Sequence, residues 1–349
     1  MITLFARSRG LALALLLLTG TVQAEMVRDL YSAEVPVADQ SAGELAKASR
    51  AAMSEVLVKV SGSVNVLQNP VISAALGEAR NQVQRYSYSN NPLVPDGLLL
   101  KLMFDNAYIT SLVIEAGAPI WTANRPVVLV WMVVEDAQGR QFINPETDAM
   151  SVKILRSEFS RRAVPVLLPL FDLVDTAALT PDQMWTMDAE AIALASARYN
   201  LQDVLIGRFA AVEGGGVAGE WTYLQGENLL PRRVAAENET LFMRDGVALA
   251  AEAMAARYAV AASASTGGLT VTVTGVTAYA DYAAVISTLE RLELVERADV
   301  ESVHGDKITL RLQAKADAAQ LATIIETNQR LIPLPNDLGS AQLNYQWQR

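Results

Sequence analysis

The run Arg125 to Glu135, RPVVLVWMVVE, constrains the chain more than any other stretch. Between Pro126 and the turn residues Asp136 and Gly139, nearly every side chain is β-branched or large and apolar. Such a strand has no polar face to give to water, so it has to lie mid-sheet with helices packed above and below. The flanking order agrees. A helix over 149–162 carries Met150, Ile154, Leu155 and Phe159 on one face, and a short apolar run follows at 163–168. Thr180-Pro181-Asp182-Gln183 and then Asp188 open further helices before a strand at 204–209. Strands alternating with helices are joined by parallel crossovers, which predicts an α/β layer. The glycines Gly214, Gly215 and Gly216 separate two strand-like stretches and predict a hairpin, with an edge strand at 232–236 before a helix at 241–258.

Upstream, 30–37 reads as a strand in which Pro36 marks an edge or an end. Ser41 with Glu44 forms a capping box for a helix that Gly62 stops. Asn69-Pro70 opens a second helix towards Val83, strands follow at 84–89 and 98–104, and Asn106 is placed to cap a third helix. Downstream, AASASTGG at 261–268 reads as a linker. Leu269, Val271 and Val273 then alternate with threonines, Asp281 caps a helix, strands near 295–303 and 308–312 meet at His304-Gly305-Asp306, Asp317 with Gln320 caps a last helix, and Leu331-Ile332 closes the series. That order, β-α-β-β-α-β, is ferredoxin-like. The expected organisation is a multi-domain chain of α+β and α/β type in small two- or three-layer units. It comprises a signal peptide (1–24), an N-terminal α+β domain (25–122), a central α/β domain (123–260), the linker (261–268), a C-terminal ferredoxin-like domain (269–334) and a tail (335–349), in which Tyr345 and Trp347 are available to dock.

Residues 1–24 have the three parts of a secretory signal: Arg7 and Arg9, an apolar core from Leu11 to Leu18, and Val22-Gln23-Ala24 as a cleavage site. Eight apolar residues in a row are far short of the roughly 20 that a spanning helix needs. Removing Arg7 and Arg9 takes Lys plus Arg from 28 to 26 against 38 Asp plus Glu, moving the net charge from −10 to −12. A chain so acidic offers no general phosphate-binding surface, so nucleic acid is not the expected partner. The absence of cysteine excludes disulfides, thiolate metal sites, cysteine nucleophiles and a lipid-bearing cysteine. The expected place of work is therefore the periplasm or the exterior, without stable membrane insertion after signal cleavage.

Chemistry is sparsely signalled. His304 is the single histidine, in an expected turn, where a solvated residue is the simpler reading than a general base. The glycine run lacks the P-loop's Gly-Lys-Ser/Thr and enters a strand, not a helix. Asp172 with Asp175, or Glu237 with Glu239, have the residue types of a glycosidase acid/base pair, whose separation a sequence does not fix. Trp121, Trp131, Trp185 and Trp221 suit a core or an interface, and the pairs Arg161-Arg162 and Arg232-Arg233 suit salt bridges. No catalytic, cofactor-binding or metal-binding residue is assigned on these grounds.

The stretches LYSAEVPVADQSAGELAKASRAAMSEVLVKVSGS, RPVVLVWMVVED and ARYNLQDVLIGRF followed by GEWTYL, behind such an amino terminus, resemble the secreted proteobacterial family described as domain of unknown function 2066. The resemblance runs from about Val27 to the end of the middle region and implies an envelope context without naming catalytic residues. The middle region is also loosely similar to α/β domains of envelope proteins such as the amino-terminal domain of the Tol-system propeller protein, a likeness of fold alone. The leading expectation is a non-enzymatic binding or adaptor protein whose partner is another envelope protein. The competing one is a periplasmic hydrolase or small-ligand binder using carboxylate or serine residues.

Overall fold

The computed structural model describes residues 24–348 apart from 28, 227, 262–267, 327–329 and 336–341. The expected signal segment up to residue 23 and most of the expected linker lie outside the described residues. The described chain is a mixed α/β protein with ten α-helices and five sheets. Its first part contains β1 (Ala24–Met26), β2 (Ser32–Val37), α1 (Ala42–Ser61), α2 (Pro70–Gly77), β3 (Val83–Asn90), β4 (Leu98–Phe104), α3 (Asn106–Glu115) and β5 (Pro119–Ile120). The middle contains β6 (Asn124–Pro126), β7 (Val128–Asp136), β8 (Gly139–Phe142), α4 (Ala149–Arg161), β9 (Val166–Leu167), α5 (Leu173–Ala178), α6 (Pro181–Trp185), α7 (Ala189–Ala197), β10 (Asp203–Ala211), β11 (Val217–Gln225), β12 (Asn228–Ala236), α8 (Glu239–Tyr258) and β13 (Val260–Ala261). The last part contains β14 (Leu269–Thr274), α9 (Tyr279–Glu290), β15 (Val295–His304), β16 (Lys307–Ala314), α10 (Ala318–Glu326), β17 (Leu331–Pro333) and β18 (Gln342–Trp347).

The apolar run from Arg125 is two strands. Residues 124–126 pair with β1, and β7 begins after Val127. β7 lies between β10, its parallel neighbour, and β8 with β9 on the other side. Its side chains alternate between two cores. Val128, Val130 and Met132 pack with Leu155 and Phe159 of α4 and Met254 of α8, whereas Leu129, Trp131 and Val133 pack with Leu179, Met184 and Ile192. Helices on both faces are what a strand without a polar side requires. Trp221 of β11 fills the first core, donating Nε1–H to the Phe242 carbonyl at 2.9 Å. It fits because Gly207 and Gly246 leave room, since a Cβ on Gly246 would lie 2.2 Å from the indole.

The first sheet has the order β2-β4-β3 and is antiparallel, with α1 packed against it. Ser41 Oγ accepts the Glu44 N–H at 3.2 Å, and Gly62, at φ 76°, closes α1. The expected capping box is only half made, because the Ser41 N–H goes to Asp39 (2.8 Å) and the Glu44 carboxylate accepts instead from Ala38. Asp105, not Asn106, caps α3, taking the Tyr108 N–H at 2.7 Å. The second helix stops at Gly77, well before Val83, and a 3-10 turn at 79–82 follows. Met150, expected on the buried face of α4, is about half exposed.

In the last part the sheet order is β15-β16-β14-β18-β17. β16 pairs with both β15 and β14, and the tail, for which no strand is expected, forms β18, which pairs in parallel with β14 and antiparallel with β17. Leu343, Tyr345 and Trp347 of that strand are buried. Asp281 is the third residue of α9, accepting the Thr277 and Ala278 N–H groups, and not its cap.

The three parts meet at Arg125, which is fully buried. Its guanidinium donates to five main-chain carbonyls: Lys59 (2.6 Å), Trp121 (2.9 Å), Thr122 (3.0 Å), Arg162 (2.9 Å) and Ala163 (3.1 Å). It also lies 3.9 Å from the Trp121 ring centroid. The carbonyls of Lys59 and of Arg162 stand at the carboxy ends of α1 and α4, where helices leave acceptors unmatched and favour a cation. One buried side chain thus pins the ends of both helices together. Glu293, after α9, accepts the neighbouring Ala123 N–H at 2.9 Å and brings the last part to the same point.

A charged cleft as the candidate functional site

Beside that pin a cleft of about 960 Å³ opens, bounded by β2 and β4 on one side and by α4 and α8 on the other. A second hollow of about 240 Å³ lies behind the same ion pairs. The floor is a chain of alternating charges. Lys59 Nζ lies 3.4 Å from Glu55, Arg161 Nε 2.8 Å from the other Glu55 oxygen, Arg161 Nη1 3.3 Å from Glu158, and Arg244 grips Glu158 through Nε and Nη2 at 3.2 Å each. Lys59 Nζ also donates to the Ser32 carbonyl of β2 at 2.7 Å. Burial pulls the Lys59 pKa down, with Glu55 opposing. Burial works in the same direction on Arg161, but Glu55 and Glu158 outweigh it and its pKa is raised.

The rim is different. Lys153, Arg156, Ser157 and Ser160 form one stripe of α4 at the i, i+3, i+4, i+7 spacing, and all four line the cleft. Lys153 and Arg156 are exposed. Among the described residues neither has an ion-pair or hydrogen-bond partner, whereas Asp29, Glu34, Glu55 and Glu158 are each paired with a cation. Across the cleft Lys101 of β4 meets Asp29 at 2.9 Å and Glu34 at 3.7 Å, and the Asp29 hydrogen bond raises its pKa. Six Lys or Arg residues and four Asp or Glu residues line the cleft, a local positive excess in a chain of net charge −10.

The residues singled out from sequence lie elsewhere. His304 pairs with Lys307 at the β15–β16 hairpin and lines neither cavity. Gly214, Gly215 and Gly216 form the β10–β11 turn, each at φ near +90°. Asp172 caps α5, and with Asp175 it holds Arg198, at 2.7 and 2.9 Å from Nη1. Asp175 also takes the Phe171 N–H and the Tyr199 hydroxyl, so both carboxylates are fully engaged in holding α5. Arg198 beside it pulls the Asp172 carboxyl down to about 2. Glu239 lies in the first turn of α8, its pKa raised by burial with a Ser151 hydrogen bond opposing, while Glu237 is exposed. Trp121, Trp131 and Trp221 are buried; Trp185 is half-buried under the Arg140 guanidinium, 4.9 Å from its centroid. Arg162 donates to the Gly62 carbonyl, Arg232 pairs with Glu252 at 3.0 Å and Arg233 with Glu220 at 3.6 Å. Of all these, only Arg161 belongs to the cleft floor. Lys59 carried one signal: it shares the apolar face of Ala52 and Val56 at i+7 and i+3, a sequence mark of a buried lysine.

Among the described residues no helix is long and apolar enough to cross a membrane, and no group of three His, Cys, Asp or Glu side chains is arranged to hold a metal ion. Comparison of the chain with known families gives a match over residues 24–122 to a domain of unknown function (DUF8605). This replaces the expected kinship with domain of unknown function 2066, for which no match is found. The matched span carries α1 and the β2-β4-β3 sheet, one wall of the cleft. No curated protein and no solved structure matches the chain.

Proposed function

We propose that this is a binding protein of the bacterial envelope whose cleft, between α1 with β2 on one side and α4 with α8 on the other, holds an anionic group of a partner. The observation that carries this reading is the unmatched pair Lys153 and Arg156 beside floor carboxylates that are each already neutralised by a cation. Exposed cations without a partner cost nothing in water and attract an incoming anion over roughly a Debye length, about 8 Å at physiological salt. A binding role accords with the side chains present: among the described residues neither Ser157 nor Ser160 hydrogen-bonds a side chain that would act as its base, and an activated serine requires one. Placement in the envelope rests on the amino-terminal pattern at 1–24 and the absence of cysteine. The C-terminal part is read as a ferredoxin-like split βαβ unit widened by β18.

Photo-cross-linking in living cells tests this. A benzophenone amino acid at position 153 or 157 should give the same discrete adduct, absent when the probe stands at Leu229, which is exposed and does not line the cleft. Equal adducts at all three positions, or recovery of the chain from the cytoplasm, would refute it. An unmodified protein that carries a small anion in native mass spectrometry would favour the small-ligand reading, which the volume of the cleft also suits.

A further inference from the structure

β2 is an edge strand, and its free side forms one wall of the cleft. The alternation of an antiparallel pair decides which groups that edge presents. Phe104 N–H donates to the Tyr31 carbonyl at 3.0 Å, so the odd-numbered residues, Tyr31, Ala33, Val35 and Val37, turn their main chain towards β4. The even-numbered ones turn away. Ser32 agrees, its carbonyl being taken by Lys59 from the cleft side. Pro36 agrees too, because a residue without an N–H fits the side that has no ladder to complete. What remains directed into the cleft is the Glu34 N–H, the Glu34 carbonyl and the Pro36 carbonyl. Lys153 and Arg156 of α4, three residues apart on one stripe, line the same cleft.

Resting on the proposed binding role, we infer that the cleft takes an extended acidic peptide segment of a partner protein, added as a strand to the free edge of β2. Main-chain pairing with Glu34 and Pro36 fixes the segment in place. Its acidic side chains, two residues apart on one face, meet Lys153 and Arg156, with Lys101 at the opposite wall. β2 is six residues long, so a matching segment spans about 20 Å. Pro36 limits the ladder and keeps the edge from joining strands indiscriminately, so selectivity falls to the charges.

The test is selection of random octapeptides displayed on phage against the purified protein, followed by binding measurements on synthetic hits. The expected hits carry acidic residues at alternate positions, lose at least tenfold in affinity to K153E/R156E, and lose as much when N-methylated on alternate residues of one register but not of the other. K153E/R156E should unfold at the temperature of the unaltered protein, because both side chains are exposed. Acidic hits that need Lys153 and Arg156 yet tolerate N-methylation at every position would overturn strand addition and leave the anion-binding role standing. No enrichment of acidic peptides over K153E/R156E would overturn both.

Discussion

Replacing Arg125 by methionine removes the pin between α1 and α4 while keeping most of the side-chain volume. Five carbonyls then lose a donor, four of them in buried positions. Each buried acceptor left unpaired costs about 1–3 kcal/mol. Some of that is returned, because a buried guanidinium itself carries a desolvation cost of several kcal/mol. If two of the five carbonyls find no new partner, the loss is about 2–6 kcal/mol before that return, and at a urea slope of about 3 kcal/mol/M the midpoint falls by up to about 2 M. R125K should do little better, since an ammonium has three donors on a compact head and does not span carbonyls from three segments. The assay is urea unfolding followed by tryptophan fluorescence, to which Trp121 under the guanidinium contributes directly. An R125M protein within 1 kcal/mol of the parent would refute the reasoning, for it would mean that the helix ends hold together without the pin.

Gly246→Ala, normally a gain of up to about 1 kcal/mol inside a helix, should instead cost about 1–3 kcal/mol because the new Cβ meets Trp221; a thermal melt at or above that of the parent would contradict this. The Asp172 carboxyl, drawn down to about 2 by Arg198, lies below its unfolded value of about 3.9, so its contribution is complete above pH 4 and is lost as pH falls through about 2. In R198A the titration seen by carbonyl NMR should rise from about 2 towards about 3.9 without reaching it, because the Val174 and Asp175 N–H groups still donate to Asp172, and the advantage of the parent over R198A should shrink as pH falls from about 4 to about 2. Tyr345→Asp places a charge at a nearly sealed position and should cost about 3–5 kcal/mol, read as faster amide exchange at Val271 and Val273; unchanged exchange would show that β18 does not hold the sheet.

How far the sequence disclosed this arrangement depended on how local each signal was. β7 was legible because two-sided burial is written into consecutive residues, and α6 because Thr180, Pro181 and Gln183 carry the complete capping box. β18 was not, although Leu343, Tyr345 and Trp347 alternate: the polar residues between them, Asn344 and Gln346, and the shortness of the run gave too few periods to read. Asn106 and Asp105 are both good caps, and only the backbone decides between them. The cleft left almost no trace. Glu55, Glu158 and Arg244 come from three helices that the fold alone brings together, and the carboxylates that looked promising, Asp172 and Asp175, spend their oxygens on holding α5.

The placement of β18 also sets an order in time. β14 lies between β16 and β18, so Val271 needs both Leu310 and Leu343 before its two sides are satisfied. In a chain synthesised amino end first, the β15–β16 hairpin closes early and cheaply, while the second ladder of β14 waits until residues 342–346 exist and a long loop has closed. Until then the parallel side of β14, with its valines, stands open to whatever strand arrives first. Refolding of this part should therefore be its slow phase, and a helper that shields a strand edge would act on β14 during that interval.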